Sequence, residues 1–299
     1  MPVSDLITGK TVAVVGGGRL AEALCWLLAD RPDGWTLTGL YARRQSRAAV
    51  LAALAAVPAE PDLATLLARR PEVVLLAVND DALGPLAEEM ASLTESARPG
   101  CVLHFSGSRE AAVLAPLQQR GWSAASLHPA RSFAEPCAAA SAFAGTVCAL
   151  EGDDQAVALA QDLVQAWQGT AIHLDASSKR LYHAASVMAN NLSVALLDTA
   201  RQVAASAGLE PEACRRLLQP LAEQAVGNYF NRGASSALTG PLSRGDGEVV
   251  AGHLQALEDQ DRQLADVYRM LSRQALDIVR RQGNLDPAAI DRLERVLQS

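Results

Sequence analysis

Thr11-Val12-Ala13-Val14-Val15-Gly16-Gly17-Gly18-Arg19-Leu20-Ala21 is the stretch on which the fold turns. A β-branched run stops at three glycines, and an apolar helical pattern follows over Ala21–Ala29. The glycines fit the spacing GxGxxG/A, which gains meaning from lying between a strand and a helix. Gly16 permits a tight turn, and Gly18 lets the backbone approach a pyrophosphate. Ala21 lets the helix pack close to the strand. The helix N-terminus then offers N–H groups to an anion. Gly16, Gly18, Arg19 and Leu20 are therefore candidate cofactor contacts.

Moving outward, the next strand is expected over Thr36–Tyr41, and its end reads Tyr41-Ala42-Arg43-Arg44-Gln45-Ser46-Arg47. A carboxylate at this point would bind the ribose hydroxyls of NAD. None is present. Two or three guanidinium groups and a hydroxyl suit a 2′-phosphate instead, through charge-assisted bidentate hydrogen bonds. The expected cofactor is NADP, with Arg43, Arg44 and Ser46 on its phosphate.

Short apolar runs continue to alternate with helical patterns. A long helical stretch runs to about Arg69, then come a strand at Val73–Val78, a helix at Asp81–Ser92 and a strand at Cys101–Phe105. A helix over Arg109–Arg120, strands at Ala124–Leu127, Thr146–Leu150 and Ala171–Leu174, and a helix over Asp154–Gln168 complete the pattern. Such alternation predicts an α/β Rossmann domain with a mostly parallel, doubly wound sheet. Strand signals stop near Asp175. Beyond it helices are expected over 177–207, 210–226, 247–283 and 286–297, with an irregular stretch at Asn228–Asp246. The organisation read from this is an NADP-binding domain over 1–175 and an all-helical substrate and dimerisation domain over 176–299.

Composition agrees with two ordinary globular domains: 299 residues, 49% hydrophobic and 20% charged. A net charge of −7 gives no reason to expect nucleic acid or an anionic membrane as partner. No apolar run approaches the roughly 18 residues of a membrane span. The first ten residues lack the basic and apolar regions of a signal peptide, so the expected location is the cytoplasm. Five scattered cysteines, none in CxxC spacing, point to neither a disulfide framework nor a metal site.

Lys179 is one of two lysines in a chain whose other basic residues are arginine. It opens a helical segment in which Lys179, His183, Ser186, Asn190 and Ser193 fall within about 80° of one another. Leu181, Met188, Leu192 and Leu196 cover other directions. A helix apolar over most of its surface is expected to be buried, so the polar stripe must face partners or a wet cavity. A titratable lysine and histidine on that stripe make it a candidate catalytic site. His128 and Ser106 end strands, where ligands of open α/β sheets lie, and Val78 and Asn79 end another. Asp81 and Asp246 are expected as helix caps. His104 and His173 are expected to be structural. Arg244 is a candidate anchor for a substrate carboxylate.

The opening of this helix resembles the catalytic Lys-x-x-x-Asn helix of 6-phosphogluconate dehydrogenase-like enzymes, including ketopantoate reductases, with His183 standing where the asparagine would be. Four stretches together resemble the Rossmann-like family with a C-terminal domain of unknown function 2520. They are Ala77-Val78-Asn79-Asp80-Asp81, Leu127-His128-Pro129-Ala130-Arg131-Ser132-Phe133, Lys179 with Tyr182-His183-Ala184-Ala185, and Leu238–Asp246 with His253-Leu254. His128-Pro129 is also similar to a segment of prephenate dehydrogenases. The resemblance implies a 6-phosphogluconate dehydrogenase-type helical domain, a homodimer, and NADP-dependent reduction of a small carbonyl compound, a 2-oxo acid such as ketopantoate. Lys179 would be its acid, with His183 and Asn190 orienting the substrate and His128, Ser186 and Arg244 binding it. Two alternatives stand beside this reading. One is a cyclic imine reductase of the pyrroline-carboxylate type, and the other is a non-catalytic NADP-binding regulator.

Overall fold

The computed structural model describes residues 10–29, 32–93 and 100–298. Residues 1–9, on which the leader-peptide reading rests, lie outside the described residues. The chain divides into two compact units, Met1–Ser186 and Val187–Ser299. The division falls eleven residues past the expected boundary near Asp175, because the opening turns of a helix that begins at Lys179 pack with the sheet.

The first unit is a seven-stranded sheet of order β2-β1-β3-β4-β5-β6-β7. The strands are β1 (Thr11–Val15), β2 (Thr36–Tyr41), β3 (Val73–Leu76), β4 (Cys101–His104), β5 (Ser123–Pro129), β6 (Val147–Gly152) and β7 (Thr170–His173). All neighbours are parallel except β5 and β6. Val73, Val74, Leu75 and Leu76 are all fully buried, as a parallel strand covered on both faces requires. One core packs α1 (Arg19–Ala29) and α2 (Gln45–Leu54) on one face of the sheet. The other face carries α3 (Leu63–Ala68) and α4 (Asp80–Leu93). The expected long helix to Arg69 is instead α2 and α3. Pro58 and Pro61 separate them, and Asp62 caps α3 by accepting from the Thr65 amide at 2.7 Å. The expected helix over Arg109–Arg120 is a 3-10 turn, Ala111–Leu114, followed by the short α5 (Ala115–Gln118). α6 (Pro136–Ser141) packs against α1, and α7 (Asp154–Ala166) packs against β5 and β6.

The expected helix over 177–207 is two helices, α8 (Lys179–Ala189) and α9 (Asn191–Ser206), broken at Asn190. Ser193 Oγ donates to the Met188 and Ala189 carbonyls that the break leaves without ladder partners. α10 (Pro211–Arg232) runs into the segment expected to be irregular, where α11 (Ala234–Ala237) and α12 (Pro241–Arg244) are short helices. α13 (Gly247–Glu258) and α14 (Arg262–Gln282) replace one expected helix, and the Asp261 carboxylate caps the second by accepting from Gln263 at 2.8 Å. With α15 (Pro287–Gln298) they enclose the second unit's core, which includes Val250, Leu254, Leu276, Val279 and Leu293. No described helix is long and apolar enough to cross a membrane.

Candidate functional site

The order β2-β1-β3 places the topological switch between β1 and β3, where open α/β sheets take their ligands. Gly16 sits there with φ +145°, a conformation that L side chains rarely adopt. A Cβ on it would also collide with the Ala77 carbonyl oxygen. Its amide donates to the Tyr41 carbonyl at 2.8 Å, so the turn is tied to the ends of both neighbouring strands. Around Gly18 the opposite holds, since no atom lies within 4 Å of where a Cβ would stand. Arg19 is exposed beside this opening at the start of α1, and Leu20 packs on the core beneath it.

Arg47 does not face the opening. Its Nε donates to the Gly17 carbonyl at 3.0 Å and its guanidinium pairs with Glu22, tying α2 to the glycine turn. Arg43, Arg44 and Ser46 are exposed at the N-terminus of α2, and no side-chain partner is found for either arginine among the described residues. Val78 and Asn79 follow β3. Asp80, which sequence reading passed over in favour of Asp81, opens α4 and accepts from Ser106 Oγ at 2.8 Å and Ser108 Oγ at 3.0 Å. Asp81 lies inside that helix, 3.6 Å from Arg109, rather than capping it. Ser106 Oγ also accepts from the Arg109 amide at 2.9 Å, so Ser106 holds the β4 loop in shape.

At the carboxyl ends of β4 and β5 a row of polar groups crosses the sheet. His104 pairs in register with Ser126, and Ser126 with Glu151. Lys179 is fully buried on this row. Its Nζ donates to Ser126 Oγ and lies 3.8 Å from Glu151 Oε1, which accepts from the Ala111 amide at 2.6 Å. Lys179 is therefore enclosed by groups of the sheet rather than exposed to solvent. Burial pushes the Glu151 carboxyl up and the Lys179 ammonium down, each opposed by the other's charge. Burial and the Lys179 charge bring His104 down to about 4. His104 Nδ1 accepts from the Ser106 amide at 3.2 Å, so its proton is on Nε2, 3.3 Å from the Glu110 carbonyl. Both of its ring nitrogens are thus engaged by the β4 loop.

One turn along α8, Tyr182 places its hydroxyl 2.9 Å from His128 Nδ1. The His183 ring meets His128 edge to face, with centroids 5.5 Å apart. Both imidazoles close over Gly107, where a Cβ would clash with His183 Nδ1 and stand 2.8 Å from His128 Nε2. Among the described residues His183 Nδ1 is buried without a hydrogen-bond partner. Burial first, then the neighbouring His183 and Lys179 charges, bring His128 down to about 4, so it is neutral at physiological pH. Burial also raises the Tyr182 phenol. Ser186 Oγ donates to the Tyr182 carbonyl at 3.1 Å. The structure thus brings together His128, His183 and Lys179 from the sequence reading, and adds Tyr182, Ser126 and Glu151. A short polar residue between apolar neighbours on β5, as Ser126 is, was the available signal for the last two.

Asn190 and Arg244 belong to the second unit. Asn190 is exposed at the α8–α9 break, so the polar stripe does not continue through it as one helix face. Arg244 Nε donates to the Asp246 carboxylate at 2.9 Å, and Asp246 consequently makes no cap hydrogen bond to α13. The apolar side chains of α8 and α9 are not buried as expected. Leu181 is 77% exposed and Met188 65%, because the polar side of α8's first turns is the one packed on the sheet.

Residues 5–129 match the Rossmann-like domain model, and residues 146–275 match the domain of unknown function 2520. No curated protein matches the chain. Among solved structures, protein TM1727 from Thermotoga maritima is 22% identical and superposes with a TM-score of 0.70, covering 91% of this chain and 100% of its own. Protein BF3122 from Bacteroides fragilis, named as a candidate NADP oxidoreductase, is 20% identical with a TM-score of 0.71 over 90% of this chain and 98% of its own. A pyrroline-5-carboxylate reductase from Coxiella burnetii is 14% identical with a TM-score of 0.58 over 97% and 99%. At these identities the likeness is one of fold. The two family matches carry the further conclusion that the chain joins a Rossmann-like domain to a domain of unknown function 2520, the composition its motifs resemble.

Proposed function

We propose that the chain is an NADPH-dependent reductase of a small 2-oxo acid, with ketopantoate the first substrate to test. The observation that carries the reading is the pair of exposed guanidinium groups, Arg43 and Arg44, without side-chain partners among the described residues, beside an open glycine turn at the switch point. A 2′-phosphate fits Arg43, Arg44 and Ser46 at the α2 N-terminus, and a pyrophosphate fits the backbone of Gly16 and Gly18 with Arg19 and Leu20. NADPH, when bound, supplies the hydride. Val78, Asn79 and Ser106 follow the neighbouring strands and would flank its reactive end. With its proton on Nδ1, His128 donates to the Tyr182 oxygen, and the phenol proton is then free to pass to a developing alkoxide. The tyrosinate left behind is held by that N–H, and His183 fixes the ring that bears it. This assigns the acid role to Tyr182 rather than Lys179.

One observation favours the imine alternative: Lys179, the cation expected to serve as acid, is fully buried, and a protonated imine needs no acid. The likeness to a pyrroline-5-carboxylate reductase supports the same reading. Both readings are tested by following NADPH oxidation, through its absorbance, across a panel of 2-oxo acids and cyclic imines. Turnover with a 2-oxo acid that is lost in Tyr182→Phe supports the first. Turnover with imines alone, untouched by that change, supports the second. No turnover with either class leaves the non-catalytic NADP-binding alternative. The exposed Leu181, Met188, Leu192 and Phe230 further support a homodimer, and a clean monomer mass of 31.4 kDa by light scattering contradicts it.

A further inference from the structure

α8 meets β5 at two points. On the strand, Ser126 and His128 lie two residues apart on one face, about 7 Å along it. On the helix, Lys179 and Tyr182 lie three residues apart on one face, about 4.5 Å along the axis. Lys179 Nζ reaches Ser126 Oγ, and Tyr182 Oη reaches His128 Nδ1. The lower point is enclosed: Lys179 is fully buried, Ser126 Oγ donates onward to the Ser106 carbonyl at 3.3 Å, and Glu151 is fixed by the Ala111 amide. The upper point is half-buried and carries the chemistry proposed above. A buried ammonium with one hydroxyl and one carboxylate partner has a single position, whereas a phenol alone on an exposed helix does not.

We propose that Lys179 is a positioning residue, whose buried ammonium sets α8 in register with β5 so that Tyr182 meets His128. The proposal rests on the reductase reading only for its effect on rate; its structural content stands without it. A register peg differs from an acid in one testable respect. An acid cannot be replaced by removing its partner, whereas a peg can be neutralised in pairs. Lys179→Met alone strands the buried Glu151 carboxylate, and α8 must shift to hydrate it. In Lys179→Met/Glu151→Gln the amide oxygen still accepts from Ala111, no buried charge is left to hydrate, and the methionine keeps the lysine stem's packing against β5, so the helix can settle again.

The direct readout is the Nδ1 chemical shift of His128 in histidine-labelled full-length protein, with Tyr182→Phe as the reference for a broken contact. Lys179→Met is expected to move the signal to the Tyr182→Phe position, and the double variant to return it toward wild type. Turnover of a 2-oxo acid should follow in parallel, with a loss of about 10²-fold in the single variant, the low end of what a positioned acid is worth, and recovery to within tenfold in the double. If Lys179→Met fails to fold, Ser126→Ala, which keeps the charge pair, is expected to shift the signal part of the way. An unmoved His128 signal in Lys179→Met or Ser126→Ala overturns the proposal, as does a double variant as impaired as the single. Signals that move as expected in a protein without turnover refute the reductase reading and leave the peg intact.

Discussion

α8 and α2 both start beside basic residues, and they are built in opposite ways. α8 begins with Lys179, which has lost all contact with water and has a hydroxyl and a carboxylate waiting for it. α2 begins behind Arg43 and Arg44, which are exposed and have no side-chain partner among the described residues. Folding explains the first: an unpaired buried cation is costly, so its partners are part of the core. Folding does not explain the second, because the positive end of a helix dipole repels cations. Cations kept there have a use for an anion. The same sequence feature, a basic helix start, thus has internal partners in one place and none among the described residues in the other, and on the proposed reading only the second meets a ligand.

The largest expected effect tests the turn between them. Gly16→Ala adds a Cβ that collides with the Ala77 backbone at a φ of +145°. We expect a loss of at least about 3 kcal/mol, which lowers Tm by about 6 °C or more in a chain of this size. A variant that melts like wild type would show that the turn is slack and the opening beside it not preformed.

Next in size is Tyr182→Phe, which keeps the ring and removes the hydroxyl that meets His128. Turnover of a 2-oxo acid is expected to fall about 10²–10⁴-fold with NADPH affinity unchanged. A fall in affinity instead would join the two helix starts into one binding site and dissolve the contrast.

A smaller effect concerns the buried row around Lys179. His104 is held at about 4 when folded, against 6.5 in the open chain. Between those values the unfolded chain binds a proton that the folded one refuses. The stability this gives is fully present above pH 6.5 and is lost as pH falls toward 4, by up to about 1.4 kcal/mol per pH unit. His104→Gln should flatten that slope in denaturant melts across the window. An equal slope in both proteins would place the acid sensitivity elsewhere.

The two helix starts also show what a sequence discloses. The glycine turn and the arginines after β2 are local: spacing and residue type suffice, and the mostly parallel sheet expected with them is the one found. The environment of Lys179 is not local, because Ser126 and Glu151 come from strands fifty-three and twenty-eight residues away and meet it only once β5 and β6 pair antiparallel. Read alone, the helix at Lys179 looked apolar around and polar toward a pocket. The polar side is instead packed against the sheet, and Tyr182, which enters the sequence reading only as part of a family motif, is the residue that reaches His128. The missed helix ends have simpler causes: prolines at 58 and 61 and a capping Asp261 were legible as punctuation.

The most direct measurement of the central claim, that the open arginines hold the 2′-phosphate of NADPH, is a calorimetric titration of NADPH and NADH into wild-type protein and Arg43→Ala/Arg44→Ala. Each lost charge-assisted contact removes about 1.5–3 kcal/mol, roughly 10- to 150-fold in Kd. The account expects NADPH to bind far more tightly than NADH in the wild type, and that advantage to vanish in the variant while NADH binding stays as it was. Equal affinities for the two cofactors in the wild type, or an NADPH affinity untouched by the double substitution, would contradict it.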